Sequence, residues 1–280
     1  IMSPAYPMFE VKNENELSPE YLMMWFSREE FDREAAYYAV GGVRGNLPWN
    51  NFLEMKIPVP SIAVQRDIVA QYNAIQNRIN QNNALIARLE QTAQAIYKEW
   101  FVDGVDKHWG IKKLGNVCEI KAGGDKPKTF SETKTKKCFV PIYSNGVTND
   151  GLYGFTDKAN YPKNSITISA RGTIGFSVLR RENFDAIVRL LVLIPKISNS
   201  AIYLWQAIKQ VEFDVSGSVQ NQLTVPQLSV IDILIPEQRV LDKYNSIVEI
   251  LFNQIELKNQ ESQKLEQLKS LLLSKLTIKK

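Results

Sequence analysis

The sequence predicts an α+β protein in which globular α/β domains are separated by two long helices that form an antiparallel coiled coil. Three observations support this fold class: an internal repeat, a heptad pattern that follows each copy of the repeat, and β-branched runs separated by polar turns. The chain has 280 residues, enough for about two domains, and its 44% hydrophobic and 23% charged content is ordinary for a folded protein.

The repeat relates two apolar runs, and the heptad segments that follow them, by an offset of 176 residues. In the first copy, the apolar run Phe52–Pro60 leads into Gln65–Arg66, and in the second copy Leu228–Pro236 leads into Gln238–Arg239. We interpret each run as strand-like and the proline that ends it as the start of a helix. Residues 107 to about 176 have no counterpart in front of residue 1, so we expect the chain to begin inside a repeat unit.

Two segments after these prolines carry seam residues at alternating spacings of four and three. The segments, 62–101 and 237–277, contain neither glycine nor proline. A 3.5-residue period kept over about five heptads predicts a coiled-coil seam, and each helix should be roughly 60 Å long. The predicted seams are Ile68, Tyr72, Ile75, Ile79, Asn82, Ile86, Leu89, Ala93, Ile96 and Trp100, and Tyr244, Val248, Leu251, Ile255, Lys258, Ser262, Leu265, Lys269, Leu272 and Leu276.

The seam is interrupted at equivalent positions by Asn82 and Lys258. In an antiparallel pair these central residues would face one another and could fix the register of the two helices. Alternatively, the two residues are polar positions that contact water and that an exposed helix pair tolerates near its middle, an explanation that fits equally well.

Positive charge is concentrated in one segment. Residues 107–236 carry a balance of +7, whereas residues 1–61 carry −4, residues 62–106 carry −1 and residues 237–280 carry +2. Such an excess is typical of a nucleic-acid surface, although a solvated surface without an anionic partner gives the same count.

The residues that catalysis usually needs are scarce. Cys118 and Cys138 lack nearby zinc ligands, and His108 is the single histidine, so we expect reduced thiols and no metal site. A phosphate-binding loop of the G-x-x-x-x-G-K-[ST] type is absent from the sequence. The sequence therefore predicts a non-enzymatic protein without a cofactor of its own, and we expect it in the cytoplasm because no secretory pattern is visible.

Polar side chains in turns are the candidates for DNA recognition. Asn and Gln can pair with adenine and Arg with guanine in the major groove, whereas lysines reach phosphates. Each of these residues could also be an ordinary solvent-exposed loop residue. The candidates are Lys126, Lys128, Ser144, Asn145, Arg171, Thr173, Ser218, Gln220, Asn221 and Gln222, with Arg44 and Asn46 in the first copy.

The order of these features resembles the specificity subunit of type I restriction–modification enzymes. The resemblance covers essentially the whole chain, and its departure is the missing first half of the leading recognition domain. The stretches that carry it are Ile57–Pro60 with Gln65–Arg66, Ala95–Asp103, Trp109 with Lys113–Gly115, Arg171–Gly175, and Leu265–Leu268 through Leu272–Leu276.

The resemblance implies a domain organisation and a set of partners. Residues 1–60 would be the C-terminal part of a first target-recognition domain, 61–106 the first conserved spacer helix, 107–236 the second recognition domain and 237–280 the second spacer helix. The subunit would recognise a bipartite target in double-stranded DNA and dock methyltransferase subunits, of which we expect two, and restriction subunits where these exist. S-adenosylmethionine, ATP and Mg²⁺ would belong to those partner subunits.

Two other functions are compatible with parts of the sequence. A coiled-coil adaptor that binds only protein explains the helices but neither the +7 segment nor the duplicated globular domains. An enzyme that acts on DNA by itself would need a catalytic motif that we do not find.

Overall fold

The structure, a computed structural model, describes residues 8–41, 46–213 and 222–276. The chain forms two compact units: the first comprises Ile1–Leu89 and Gln254–Lys280, and the second comprises Glu90–Asn253. Both long helices contribute residues to each unit, and the β-strands found in the described residues all lie in the second. The α+β class predicted from the sequence is confirmed.

The two long helices are α4 (Ile62–Lys98), followed by a π-helical turn at Glu99–Asp103, and α8 (Gln238–Lys275). Every predicted seam residue is buried or partly buried, so the heptad assignment is confirmed. In the first unit, Lys269 donates to Gln76 at 2.9 Å and Arg78 donates to Glu261 at 2.6 Å. The residue numbers of the partners on α8 decrease as those on α4 increase, so these two segments run antiparallel.

The interruption of the seam differs from the expected geometry. Asn82 is 2% exposed and donates to the Ser262 hydroxyl at 3.3 Å. Lys258 donates to Glu261 of its own helix at 2.7 Å. Within the described residues Asn82 and Lys258 share no hydrogen bond, because each has a closer partner on α8. The buried amide is satisfied across the helix pair, as a polar seam position requires.

The second unit contains three small sheets. Strands β2 (Cys118–Ala122), β8 (Leu191–Pro195), β5 (Ser165–Ile168) and β6 (Ser177–Arg180) form an antiparallel sheet in that order. Strand β3 (Val140–Tyr143) pairs antiparallel with β4 (Leu152–Thr156) and parallel with β7 (Asp185–Ala186), and β1 (Gly110–Lys113) pairs antiparallel with β9 (Asp232–Ile235). β5 is buried at every position, as its apolar and β-branched sequence suggests.

Helices close the second unit around these sheets. α5 (Leu114–Val117) and α7 (Val225–Ser229) pack together beside β2, and α6 (Ala201–Ile208) packs on β5 and β6. An aromatic cluster joins α6 to both long helices: the Phe101 ring lies 4.6 Å from that of Tyr203 and 4.8 Å from that of Tyr244, centroid to centroid.

The first unit is helical where a strand was expected. It contains α1 (Pro19–Phe26), α2 (Glu29–Tyr38) and α3 (Trp49–Glu54), so the strand-like interpretation of Phe52–Pro60 was wrong. α3 is the repeat equivalent of α7, and residues 56–59 are equivalent to β9 but belong to no strand. The physical reason is that a strand requires a hydrogen-bonded partner: β9 pairs with β1, whereas residues 56–59 pair with no strand in the described part of the chain.

The repeat reappears in three dimensions as two matching anchors. In the first unit, the Tyr21 hydroxyl donates to the Pro58 carbonyl at 3.0 Å, and Gln65 Nε2 donates to the Glu16 carbonyl at 2.7 Å. In the second unit, the Tyr203 hydroxyl donates to the Leu234 carbonyl, and Gln238 Nε2 donates to the Ser198 carbonyl at 2.9 Å. These anchors fix a short helix to the segment that opens each long helix.

Candidate nucleic-acid interface

A tight turn at Ile187–Leu190 is clamped against the glycine pair Gly123–Gly124. Val188 N–H donates to the Gly124 carbonyl at 2.9 Å, Arg189 N–H donates to the Gly123 carbonyl at 3.2 Å, and Gly123 N–H donates to the Leu190 carbonyl at 2.7 Å. A Cβ atom at Gly123 would lie 2.7 Å from the Ala186 carbonyl carbon, so glycine is required for this close approach.

Asn145 connects this turn to the segment that contains Ala170, which in turn bonds to the segment that contains Leu223. Its Nδ2 donates to the Val188 carbonyl at 2.6 Å, and its Oδ1 accepts the Ala170 N–H at 2.7 Å. Leu223 N–H in turn donates to the Ala170 carbonyl at 2.9 Å. The segments around residues 124, 145, 170, 188 and 223 are therefore cross-braced, and we call their solvent-facing side the loop face. Asn145 is a structural link in this arrangement.

Arg180 supports the loop that carries Asn145. It is 4% exposed, and its guanidinium lies 3.5 Å from the centroid of the Tyr143 ring. Nε donates to the Thr167 hydroxyl at 2.8 Å and Nη2 donates to the Asp150 carbonyl at 2.7 Å. Burial lowers the pKa of Arg180 to about 10 and raises the pKa of Tyr143 to about 12. Arg180 is thus charged at neutral pH, and its hydrogen bond to the Asp150 carbonyl fixes the Ser144–Gly151 loop to the sheet.

Arg171 and Gln222 meet on the loop face although 51 residues separate them. Arg171 Nε and Nη2 donate to Gln222 Oε1 at 3.0 and 2.8 Å. Arg171 is exposed and Gln222 is partly exposed. These two hydrogen bonds use two of the five N–H groups of Arg171 and neither N–H group of the Gln222 amide.

Lysines flank the loop face along one segment. Lys126 lies 3.4 Å from the centroid of the Phe130 ring and 5.3 Å from that of Tyr153, so its ammonium rests on aromatic faces. Lys128 is exposed, as are Lys134, Lys136 and Lys137. This segment presents five ammonium groups against the carboxylates of Asp125 and Glu132.

The other predicted residues fall in several places. Ser144 N–H donates to the Gly151 carbonyl at 2.9 Å, and the Thr173 carbonyl accepts the Phe176 N–H at 3.2 Å, so both shape loops of the second unit. Asn46 is in the first unit, where its backbone forms a bridge with Val40. Arg44, Ser218, Gln220 and Asn221 lie outside the described residues.

The sequence analysis missed Arg189 and Arg180. Arg189 stands inside the apolar run Ile187–Ile194, a pattern that indicates a buried strand and not a DNA contact. In the structure, β8 begins at Leu191, and residues 187–190 form the clamped turn instead. The Gly123–Gly124 pair was the available signal, because adjacent glycines often mark a close backbone approach.

Comparison with known proteins identifies the family. The model of the type I restriction modification DNA specificity domain matches residues 106–267, which is more than half of the chain. The chain belongs to this family. The match includes the loop face and most of α8.

Relatives of this specificity family extend over more of the chain. It is 29% identical over 202 residues to a Mycoplasma pneumoniae protein assigned as type I specificity subunit S.MpnORF507P, which covers 70% of this chain and 54% of that protein. It is 24% identical over 297 residues to the type I restriction enzyme MjaIX specificity subunit of Methanocaldococcus jannaschii, which covers 92% and 68%. The chain spans about half the length of the first two curated relatives it matches.

A solved structure supports the fold. The crystal structure of a type I restriction–modification system S subunit from M. genitalium superposes with a TM-score of 0.65 at 16% identity, covering 96% of this chain and 75% of that one. At this identity the likeness concerns the fold alone.

Other kinds of site are not seen in the parts of the specificity chain that the structure describes. Residues 8–41, 46–213 and 222–276 contain no group of three or more His, Cys, Asp or Glu side chains arranged to hold a metal ion. Over the same ranges no helix has the length and apolar character needed to cross a membrane. Cys118 and Cys138 are buried and free, and burial raises the pKa of the Cys118 thiol to about 12.

Proposed function

We propose that this chain supplies DNA sequence recognition to a type I restriction–modification complex through the loop face of the second unit. The observation that carries the proposal is the Arg171–Gln222 pair, which stands on loops that Asn145 and backbone hydrogen bonds hold together. Side chains that read base edges need such fixed positions, because a displacement of one ångström loses the hydrogen bond.

The two kinds of side chain on this face have different roles. Lys126 and Lys128 neutralise phosphates, which supplies affinity without sequence information. The Arg171–Gln222 pair faces base edges. Because Gln222 Oε1 already accepts two hydrogen bonds from Arg171, the pair offers only donors, and these match the O6 and N7 acceptors of guanine best. We therefore expect guanine at the position that the pair contacts.

The wider assembly is part of the same proposal. The anchor occurs once in each unit, as Tyr21 with Gln65 and as Tyr203 with Gln238, and this duplication supports two recognition domains and hence a bipartite target in double-stranded DNA. The exposed faces of α4 and α8 would dock two methyltransferase subunits, and restriction subunits where these exist. S-adenosylmethionine, ATP and Mg²⁺ would act in those subunits, and this chain would be non-catalytic. A cytoplasmic location follows from this role.

The test is DNA binding by the purified full chain. Binding to a random-sequence 30-bp duplex should weaken steeply between 50 and 200 mM salt, and selection from a randomised duplex library should enrich one motif. The Gln222→Ala variant should lose preference for that motif and keep its affinity for random duplex. A chain that binds no duplex at low salt would contradict the proposal and favour the protein-binding adaptor.

Catalysis is tested separately with the same preparation. The full chain supplied with S-adenosylmethionine, ATP and Mg²⁺ should neither methylate nor cleave duplex DNA. Robust methyl transfer by the lone, clean chain would overturn the non-catalytic assignment.

A further inference from the structure

The Ile187–Leu190 turn has an unusual backbone. Val188 and Arg189 adopt φ values of 54° and 62°, in the left-handed region that favours glycine. For a β-branched residue such as Val188 this conformation is an outlier, and it persists only where the surroundings enforce it. Val188 is 51% exposed, so burial of its own side chain is not what enforces it.

The surroundings that enforce the turn are the hydrogen bonds of the loop face. Gly123 and Gly124 bond the backbone on both sides of it, and Ile187 N–H donates to the Tyr143 carbonyl at 3.0 Å. Asn145 Nδ2 holds the Val188 carbonyl at 2.6 Å. Ile187 and Leu190, at the two ends of the turn, are each 1% exposed and anchor it in the core. The backbone of Arg189 is therefore fixed.

The side chain of Arg189 is exposed and has no interaction partner within the described residues. Within the described residues it has no hydrogen bond, ion pair or ring contact, unlike Arg171, Arg180 and Arg181. The cross-braced segments around it carry four other charged side chains: Asp125, Lys126, Asp150 and Arg171. Three cations, including Arg189, thus accompany two carboxylates.

We propose that Arg189 is a specificity-determining residue that contacts a base edge, and that Asn145 positions it together with Arg171. This inference rests on the proposed function. A phosphate contact tolerates a side chain on a loosely held segment, whereas base reading requires a backbone that is fixed relative to the rest of the domain. A strained and clamped turn that presents an unpaired, planar guanidinium fits base reading.

The positioning role of Asn145 follows from its two hydrogen bonds. Its amide joins the Val188 carbonyl to the Ala170 N–H, and these atoms lie one residue before Arg189 and Arg171, respectively. Loss of the amide frees both arginine-bearing loops at once. Loss of the Arg189 side chain removes one contact and leaves the other in place.

The test uses the full chain and the duplex that the wild-type chain enriches from a randomised library. Selectivity is the ratio of its Kd for a scrambled duplex of equal composition to its Kd for the enriched duplex. Arg189→Ala should reduce selectivity about 5- to 150-fold at one base-pair position and change the scrambled-duplex Kd less than about twofold. Arg189→Lys should not restore selectivity, because an ammonium lacks the planar fork.

Two further variants separate positioning from contact. Asn145→Ala should reduce selectivity at two positions, and the Asn145→Ala/Arg189→Ala double variant should lose less than the sum of the two single losses. Val188→Asn is the control: asparagine accepts the left-handed conformation, so selectivity and Tm should be kept.

Each alternative result overturns the inference. If Arg189→Ala weakens binding to both duplexes equally and flattens the salt dependence by about one unit of slope, Arg189 is a phosphate contact. If it changes neither quantity, the turn is only structural. If the wild-type chain itself enriches no motif, the proposed function fails along with this inference.

Discussion

The two units contain the same helix anchor, but among the residues that the structure describes only those of the second carry sheets on it. Tyr21 and Gln65 in the first unit make the same backbone contacts as Tyr203 and Gln238 in the second. The anchor therefore forms without the β-strands. It joins the short helix, and the residues just before it, to the segment that opens one long helix.

The difference appears at the residues that follow the anchor in the repeat. Ile235 is 9% exposed because β9 pairs with β1, whereas its equivalent Val59 is 53% exposed. Leu228 of α7 is fully buried, whereas its equivalent Phe52 of α3 is only partly buried. Strand formation and burial at Ile235 thus depend on the pairing of β9 with β1, a pairing that the described residues of the first unit do not repeat.

The largest effect is expected from truncating this face in each unit. Ile235→Ala should destabilise the second unit by about 2–4 kcal/mol, because it removes a buried side chain and leaves a cavity. The matched Val59→Ala change should cost about 0.5 kcal/mol or less. Hydrogen exchange of each unit, recorded as a function of urea concentration, measures the loss in free energy of unfolding for both variants. Equal costs would contradict the comparison.

A smaller and equal effect is expected at the anchors. Tyr21→Phe and Tyr203→Phe each remove a hydroxyl that donates to a backbone carbonyl, which should cost about 1 kcal/mol in the respective unit. The same unfolding measurement applies. A cost confined to Tyr203→Phe would show that the first-unit anchor is not equivalent.

Alkaline pH should lower the stability of the second unit more than that of the first, by a smaller amount than the substitutions above. Burial raises the pKa of Tyr97 to about 12 and also raises the pKa values of Tyr203 and Tyr244, all in the second unit. These groups stay protonated in the folded state after they ionise in the unfolded chain. Their stabilisation is therefore complete below pH 10 and is lost as pH rises above it. In the first unit burial raises the pKa of Tyr21, a single tyrosine against these three of the second unit. Hydrogen exchange above pH 10 should therefore accelerate more in the second unit than in the first.

The smallest effect concerns phosphate contacts. Lys128→Ala should flatten the salt dependence of binding to random duplex by about one unit of slope, and the Lys126→Ala/Lys128→Ala pair by about two. The matched control is Lys56→Ala, an exposed lysine of the first unit, which should leave the slope unchanged. Flattening by Lys56→Ala as well would place phosphate contacts on both units.

The sequence predicted the helices well because their signal is local. A heptad period identifies buried positions without reference to the rest of the chain, and the seam from Ile68 to Leu276 followed it. The strand-like interpretation of Phe52–Pro60 failed because a strand requires a partner, which no local pattern reports. The apolar residues alone could not distinguish α3 from β-structure.

The candidate site was predictable in residue type and not in geometry. Arg171 and Gln222 were selected as polar turn residues, but their contact spans 51 residues and follows from the Leu223–Ala170 backbone bond. Arg189 was missed because its turn is created by the distant Gly123–Gly124 pair and Asn145. Left-handed backbone at Val188 is a tertiary effect, and a β-branched residue gives no sequence signal for it.

Hydrogen exchange of the full chain with and without the enriched duplex tests the central claim most directly, because it reports where DNA lies. We predict protection of residues 123–128, 144–149, 170–175 and 187–190. Protection confined to the first unit or to the long helices, with the loop face exchanging as in the free chain, would contradict the account.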